Sequence, residues 1–200
     1  MSQKRDNSGK KRIALFGGTF DPIHLGHTHL AAAAVDQLNL DRVIFLPCHQ
    51  SPHKLGASHA SASQRLAMCQ LATDAFDWAQ VDDHDLRGAG PWYSWLTAEA
   101  MHRRFPDARL YWLMGTDQWQ ALPRWSRPDH LSDLVEFIVF TRGDAPSPRS
   151  GYRLHPIVGD HPASATEIRR TMRDRATTGL MTHWLHPAVA DYITDQALYG

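Results

Sequence analysis

The feature that most narrows the possible folds is a pair of short apolar runs separated by one helical stretch. Ile13-Ala14-Leu15-Phe16 has strand length and stops at the glycine pair Gly17-Gly18. Residues 30–38 are good helix formers, with Leu30, Ala34, Val35 and Leu38 spaced to share one face. A second run, Arg42-Val43-Ile44-Phe45-Leu46, is stopped by Pro47. Strand, helix and strand in this order make a βαβ unit, which demands a parallel pair and a right-handed crossover. Parallel strands are buried on both faces, so the remaining chain must supply two layers of helices.

The remaining chain meets that demand. The polar stretch 48–63 reads as a loop, long enough to carry function. A helix is predicted over 63–73, with Leu66, Ala67, Gln70 and Leu71 as its spaced positions, and a strand over 78–82. Residues 88–91 break the chain before a helix over 93–105. Arg109-Leu110-Tyr111-Trp112-Leu113-Met114 is the clearest interior strand and ends at Gly115. Two further strands are predicted over 135–140 and 152–158, and a tryptophan-rich connector with Trp119 and Trp125 precedes the first of them. Ser164 opens another helix as a capping box, accepting from the N3 amide while Glu167 reaches back. A last helix is predicted over 187–199, where Pro187 suits the first turn and Val189, Tyr192, Ile193 and Gln196 line a face. Residues 1–11 read as a disordered tail and 12–200 as a single domain with a helical C-terminal part. The expected class is α/β, a Rossmann-like open parallel sheet with helices on both faces.

Composition excludes several function classes. Lys plus Arg and Asp plus Glu both total 21, so no global basic field exists to hold nucleic acid or an anionic membrane, and neither is expected as a partner. Any anion must therefore be held by a local site. Cys48 and Cys69 are the only cysteines and lack CxxC spacing, which fits a reducing compartment and argues against structural zinc or disulfides. No apolar run approaches the length of about 18 residues that a membrane span needs, and residues 1–12 lack the apolar core of a signal peptide. A cytoplasmic protein is expected.

The chemistry concentrates between the first strand and the first helix, in Gly17-Gly18-Thr19-Phe20-Asp21-Pro22-Ile23-His24-Leu25-Gly26-His27. This stretch is neither a Walker loop nor a GxGxxG fingerprint. The glycines let the backbone approach a ligand, and Asp21 and Pro22 shape the turn. His24 and His27, three apart at a helix start, can point the same way. A helix N-terminus with two hydrogen-bonding imidazoles suits a triphosphate. Surface histidines, or a metal site from His24, His27 and His29, are the competing readings, and no carboxylate or cysteine at ligand spacing completes the latter. Asp85 and Arg87 read as an exposed ion pair with no role in the site.

This stretch resembles the signature of the nucleotidyltransferases with an HxGH motif, and within them the bacterial nicotinate-nucleotide adenylyltransferases. Ser51-Pro52-His53-Lys54 resembles that family's PPHK loop. Met114-Gly115-Thr116-Asp117, followed by Leu122-Pro123-Arg124-Trp125, resembles its GxD segment and following tryptophan. Ser164-Ala165-Thr166-Glu167-Ile168-Arg169 resembles its SSTxIR helix start. Four motifs in the right order are far more specific than one. The resemblance implies adenylyl transfer from ATP to nicotinate mononucleotide, with pyrophosphate released and Mg²⁺ held through the phosphates, with no metal ligand from the protein itself. It implies that Gly17, Gly18, Thr19, Phe20, His24, His27, Ser164, Thr166 and Arg169 form the ATP site. His24, His27, Lys54 and Arg169 would serve the reaction. Lys54, Asp117 and Trp125 would serve the mononucleotide, with Trp125 stacking on the pyridine ring.

The pattern is not followed everywhere. Ser51 stands where the family has proline, and Ala163 and Ala165 stand where isoleucine and a second serine are usual. Trp92-Tyr93-Ser94-Trp95-Leu96-Thr97-Ala98 matches the family's SYTxxTL stretch loosely, with Leu96 at an acidic position. These departures at 92–98 fall on the mononucleotide side, so nicotinamide mononucleotide, or both nucleotides, is the alternative acceptor. A non-catalytic nucleotide-binding module is the remote alternative. Oligomeric state is not legible.

Overall fold

The computed structural model describes residues 9–49, 60–87, 90–141, 145–173 and 182–200. Six strands form one sheet: β1 (Arg12–Gly18), β2 (Arg42–Pro47), β3 (Ala79–Val81), β4 (Arg109–Gly115), β5 (Glu136–Thr141) and β6 (Leu154–Val158). Their spatial order is β3-β2-β1-β4-β5-β6, and every pairing is parallel. The helices among the described residues are α1 (Leu25–Leu38), α2 (Ala62–Thr73), α3 (Ser94–Arg104), α4 (Thr116–Ala121), α5 (Pro128–Leu134), α6 (Ala165–Arg173) and α7 (Pro187–Asp195). None is long and apolar enough to cross a membrane.

Successive strand side chains point to opposite faces, and that alternation divides the interior into two cores. Ala14 and Phe16 of β1 join Val43, Phe45, Tyr111, Leu113, Ile138 and Phe140 on one face. There α1, α2, α6 and α7 cover them with Ala31, Ala34, Met68, Cys69, Ile168, Val189 and Ile193. Ile13 and Leu15 turn the other way, towards Ile44, Leu46, Trp112, Met114, Phe137 and Val139. Ala98, Met101, Trp119 and Leu131 of α3, α4 and α5 close that side. The open parallel sheet with helices on both faces is therefore as expected.

The predicted faces of two helices are corrected. In α1 the buried row is Thr28, Ala31, Ala34 and Leu38, while Leu30 and Val35 are only partly buried. The alanines let the helix approach the sheet closely, and Leu30 instead reaches Gly159, where an added Cβ would lie 2.8 Å from its Cδ2. In α2 the buried positions are Arg65, Met68, Cys69 and Ala72, whereas Gln70 and Leu71 are exposed. That is a two-residue shift, about 200° around the helix, so the buried face lies nearly opposite the predicted one. Its cause is Arg65, a charge placed inside because two backbone carbonyls await it: Nη1 donates to Thr19 O (2.7 Å) and Nη2 to His49 O (3.1 Å).

Three other expectations also change. The tryptophan-rich connector is helical, formed by α4, a 3₁₀ turn over Leu122–Arg124 and α5. Pro123 and Pro128 cut it into pieces too short to show a helical period. The capping box at Ser164 is not closed by Glu167, whose carboxylate accepts from Arg170 at 2.7 and 3.0 Å. Asp85 does not pair with Arg87. Arg87 pairs with Asp83, and Asp85 is buried, accepting from the Thr97 hydroxyl at 2.7 Å.

Burial raises the Asp85 carboxyl above its ordinary value, and the Thr97 bond only partly offsets this. A raised carboxyl contributes stability that is present below its unfolded value, near pH 4, and lost as pH rises through its folded value. Thr97→Val removes the donor that makes the ionised form tolerable, so it is expected to cost about 1–3 kcal/mol at pH 7. Urea melts at pH 4 and pH 7 check this, the deficit being smaller at pH 4.

Candidate active site

The six strands run parallel, so their C-terminal ends lie along one edge, and the chain winds outward in opposite directions from β1 and β4. A crevice opens at such a switch point. The turn after β1 enters it. Gly17 and Gly18 are demanded by neighbours as much as by any ligand. A Cβ on Gly18 would meet the Phe20 ring at 2.8 Å, and one on Gly17 would lie 3.2 Å from the Trp112 ring. Phe20 is held at φ 49°, left-handed for a non-glycine residue, which keeps its ring folded back over Gly18 and edge-on to Phe16. The Gly18 carbonyl accepts from the Cys48 amide (2.9 Å), which joins the turn to the end of β2.

Then α1 begins, with His24 as its N-cap. The His24 amide donates to His27 Nδ1 (3.2 Å), and the His27 amide turns to the His24 carbonyl (2.9 Å). The two imidazoles stack with centroids 3.8 Å apart. Because His27 Nδ1 accepts, the neutral ring carries its proton on Nε2 and is a donor there. Gly26 makes the stack possible, since a Cβ at that position would lie 3.0 Å from the His24 ring. His24 is 7% exposed, and its Nδ1 is buried without a hydrogen-bond partner among the described residues. Burial, then the neighbouring His161, pushes its pKa down to about 4. His161 is itself lowered by burial and by His29, and His186 by burial. These three rings are neutral at pH 7 and act as hydrogen-bonding groups rather than cations.

The charge comes from the other side of the turn. Arg169, on α6, donates from Nη1 to the Asp21 carbonyl at 2.5 Å. That contact brings the Ser164–Arg169 segment against the His24–His27 segment, although they are far apart in sequence. Ser164 is partly buried and Thr166 exposed. Lys54, with Ser51, lies outside the described residues. On the β4 side, Asp117 is exposed in the first turn of α4, just past Gly115. Trp125 is partly buried and meets Trp112 edge to face, centroids 6.3 Å apart. Trp112 in turn abuts Gly17, so the tryptophan and the glycine turn share one wall.

The structure adds residues that sequence reasoning did not single out. Arg65, His161, His186 and Tyr199 bond or pack around this turn, and Asp21, expected only to shape it, is where several of the bonds end. Asp21 Oδ1 accepts from the Tyr199 hydroxyl (2.6 Å) and the Ala60 amide (3.2 Å). His186 caps α7 and lies 2.9 Å from the Thr28 hydroxyl, which donates to the Leu25 carbonyl. No local signal marks Arg65, which the predicted face of α2 turns outward, or Tyr199.

His24 generates a pH prediction. A histidine with a lowered folded pKa contributes stability that is present above its unfolded value, near 6.5, and lost as pH falls towards 4. The His24 ring carbon protons are therefore expected to titrate near pH 4 by NMR. His24→Asn should remove up to about 3 kcal/mol of the acid sensitivity between pH 6.5 and 4 in chemical denaturation.

Comparison with known proteins agrees with this geometry. The cytidylyltransferase-like family model matches residues 15–171. A "Probable nicotinate-nucleotide adenylyltransferase" of Methylacidiphilum infernorum is 37% identical over 190 residues, covering 94% of this chain and 92% of the relative. A protein of the same name from Neisseria meningitidis serogroup B is 37% identical over 203 residues, covering 94% and 98%. In fold, the nicotinic acid mononucleotide adenylyltransferase of Plasmodium falciparum complexed with NaAD superposes with a TM-score of 0.75 at 19% identity, covering 94% of this chain and 97% of that one. The chain belongs to the cytidylyltransferase-like family and, within it, to the nicotinate-nucleotide adenylyltransferases.

Proposed function

We propose that this protein transfers the adenylyl group of ATP to nicotinate mononucleotide, giving nicotinate adenine dinucleotide and pyrophosphate. The observation that carries the reading is the stacked His24–His27 pair beside an Asp21 carbonyl that holds Arg169 from α6, in a chain whose relatives bear that activity's name over 94% of its length. In the reaction a 5′-phosphate oxygen of the mononucleotide attacks the α-phosphorus in line, that P–O bond forms, and the bond to the β-phosphate oxygen breaks. No covalent enzyme intermediate is needed. The protein contributes position and donors at the crowded phosphorus.

The residues divide that task. His27 offers Nε2–H to an oxygen at the reacting phosphate, and His24, neutral at working pH, supports it from the stacked position. Arg169 supplies fixed positive charge to the departing pyrophosphate, with Ser164 and Thr166 as hydroxyl donors beside it. Gly17, Gly18, Thr19 and Phe20 line the nucleotide groove, and Lys54 adds a cation to the phosphates. Asp117 and Trp125 take the mononucleotide, Trp125 through its ring face. Nucleotidyltransferases that use ATP work with a divalent ion, here taken as Mg²⁺ bound to the phosphates. Among the described residues no group of three or more His, Cys, Asp or Glu could hold a metal ion, so no protein ligand is assigned to it. Residues 12–200 act as one unit, since the sheet draws covering helices from both ends of that span. Free Cys48 and Cys69 suit a reducing, cytoplasmic setting.

Two experiments test this. Pyrophosphate release should follow mixing with ATP, Mg²⁺ and nicotinate mononucleotide, with kcat/KM at least about tenfold above that for nicotinamide mononucleotide. A preference for the amide would move the acceptor assignment to the alternative. His27→Ala should lower kcat by about 10²–10³-fold, the scale of a lost transition-state donor, while changing ATP affinity less than about fivefold. A loss confined to affinity would make His27 a binding residue only.

A further inference from the structure

Asp21 is where separate parts of the chain are tied together. It is buried, and its Oδ1 accepts from two donors brought by different segments. One is the amide of Ala60, which leads into α2 through the N-cap Ser61. The other is the hydroxyl of Tyr199, four residues beyond α7. The backbone carbonyl of the same residue takes Arg169 from α6, and two residues earlier the Thr19 carbonyl takes Arg65 from α2. The turn that presents the stacked imidazoles is thus held from several directions, and one of its anchors comes from the far end of the sequence.

The delivery of that anchor is specific. Tyr199 is buried, and its ring packs in the core formed by α1, α2, α6 and α7. To place it there the backbone adopts φ 49° at Ala197 and φ 68° at Tyr199, two left-handed conformations at residues other than glycine. Such conformations persist where the surroundings over-determine them. Burial and the adjacent Asp21 push the phenol's ionisation well above its ordinary value, so it remains a donor across the working range. A hydroxyl donating to a carboxylate at 2.6 Å is among the stronger hydrogen bonds available to a protein. The ring alone would satisfy packing. The hydroxyl adds direction, and it points at the turn.

We propose that Tyr199 is a positioning residue for the ATP half of the site, acting through Asp21 to fix the turn that carries His24 and His27. The proposal rests on the adenylyltransferase reading, because it names which half-site the turn serves. Tyr199 touches no substrate in this scheme. Without its hydroxyl the Asp21 carboxylate keeps the Ala60 amide but loses the anchor from the segment after α7, and the turn gains freedom relative to that segment. In-line transfer depends steeply on position, an error of 1 Å costing about 10²-fold. Trp125 and Asp117 stand on the β4 side and are not held by this bond, so the mononucleotide half should be spared.

Tyr199→Phe isolates the hydroxyl while keeping the ring. It is expected to lower kcat/KM for ATP by about tenfold, with the KM for nicotinate mononucleotide within twofold of wild type. The ATP dissociation constant, measured by calorimetry without the second substrate, should rise by about three- to tenfold. Asp21→Ala should give a similar or larger loss, and the double variant Tyr199→Phe/Asp21→Ala should be no worse than Asp21→Ala alone. Thermal melts accompany each variant. If Tyr199→Phe leaves both ATP parameters unchanged, or lowers the melting temperature while moving both substrates equally, the positioning role is wrong and the bond is structural. A wild-type protein that binds ATP but releases no pyrophosphate with either mononucleotide would instead overturn the adenylyltransferase reading, and the ATP dissociation constants would still decide on Tyr199.

Discussion

Strand β1 is bonded on both sides, to β2 through six aligned pairs and to β4 through four, and the rest of the molecule depends on that double commitment. A central parallel strand has both backbone edges occupied and both side-chain faces buried. It cannot shift to suit a ligand. Whatever follows it must begin from a fixed point, and the fixed point is Gly17-Gly18 against Trp112 on one flank and Phe20 on the other. The turn beyond has no ladder to hold it. Its carbonyls are taken instead by guanidinium groups, Arg65 at Thr19 and Arg169 at Asp21. A rigid strand and side-chain anchors together place the start of α1, and that start is where the imidazoles stand.

This arrangement separates two tasks that one residue type could have combined. A histidine held in a buried stack loses its charge, as His24 does, and one whose Nδ1 accepts a backbone amide, as His27 does, gains a defined tautomer and direction. An arginine keeps its charge in any surroundings and brings planar donors. In the proposed reaction the imidazoles would therefore supply orientation at the reacting phosphorus and the guanidinium charge beside it. Gly26 belongs to the same logic. Between the two histidines a Cβ would collide with the His24 ring, so the glycine serves the stack and not a turn in the backbone.

Much of this was legible in the sequence, because parallel strands write themselves as short apolar runs and the two helix-start motifs are local. Every strand was found, with boundaries differing by up to two residues, and Arg169 bonds the Asp21 carbonyl, three residues before the His24 that stacks on His27. Helix faces were less legible. Small residues define the buried row of α1, with the predicted Leu30 and Val35 packed only partly buried beside it. In α2 one inward arginine means that a reading which sends charge outward turns the helix the wrong way. Asp85 failed for the same reason, since its burial depends on Thr97 reaching it from α3. Long-range polar bonds such as Tyr199 to Asp21 leave no local trace, because their two ends lie 178 positions apart.

The two halves of the site also differ in how they are built, and this explains why one was easier to read. The proposed ATP half is made of backbone turns and helix starts, whose geometry constrains residue type at fixed spacing. The proposed mononucleotide half would be made of side chains on the α4–α5 connector, where short helices punctuated by Pro123 and Pro128 carry Trp125. There a ring face can be supplied from many backbone paths, so motif spacing is loose and substitutions such as Leu96 for an acidic residue carry no fixed meaning. The shared wall of Gly17, Trp112 and Trp125 supplies the missing constraint. Trp112 is buried in β4 against the glycine turn, and Trp125 meets it edge to face. The ring that would receive the acceptor is thus indexed to the strand that places the phosphates, and the distance between the two half-sites is set by β1 and β4 lying side by side.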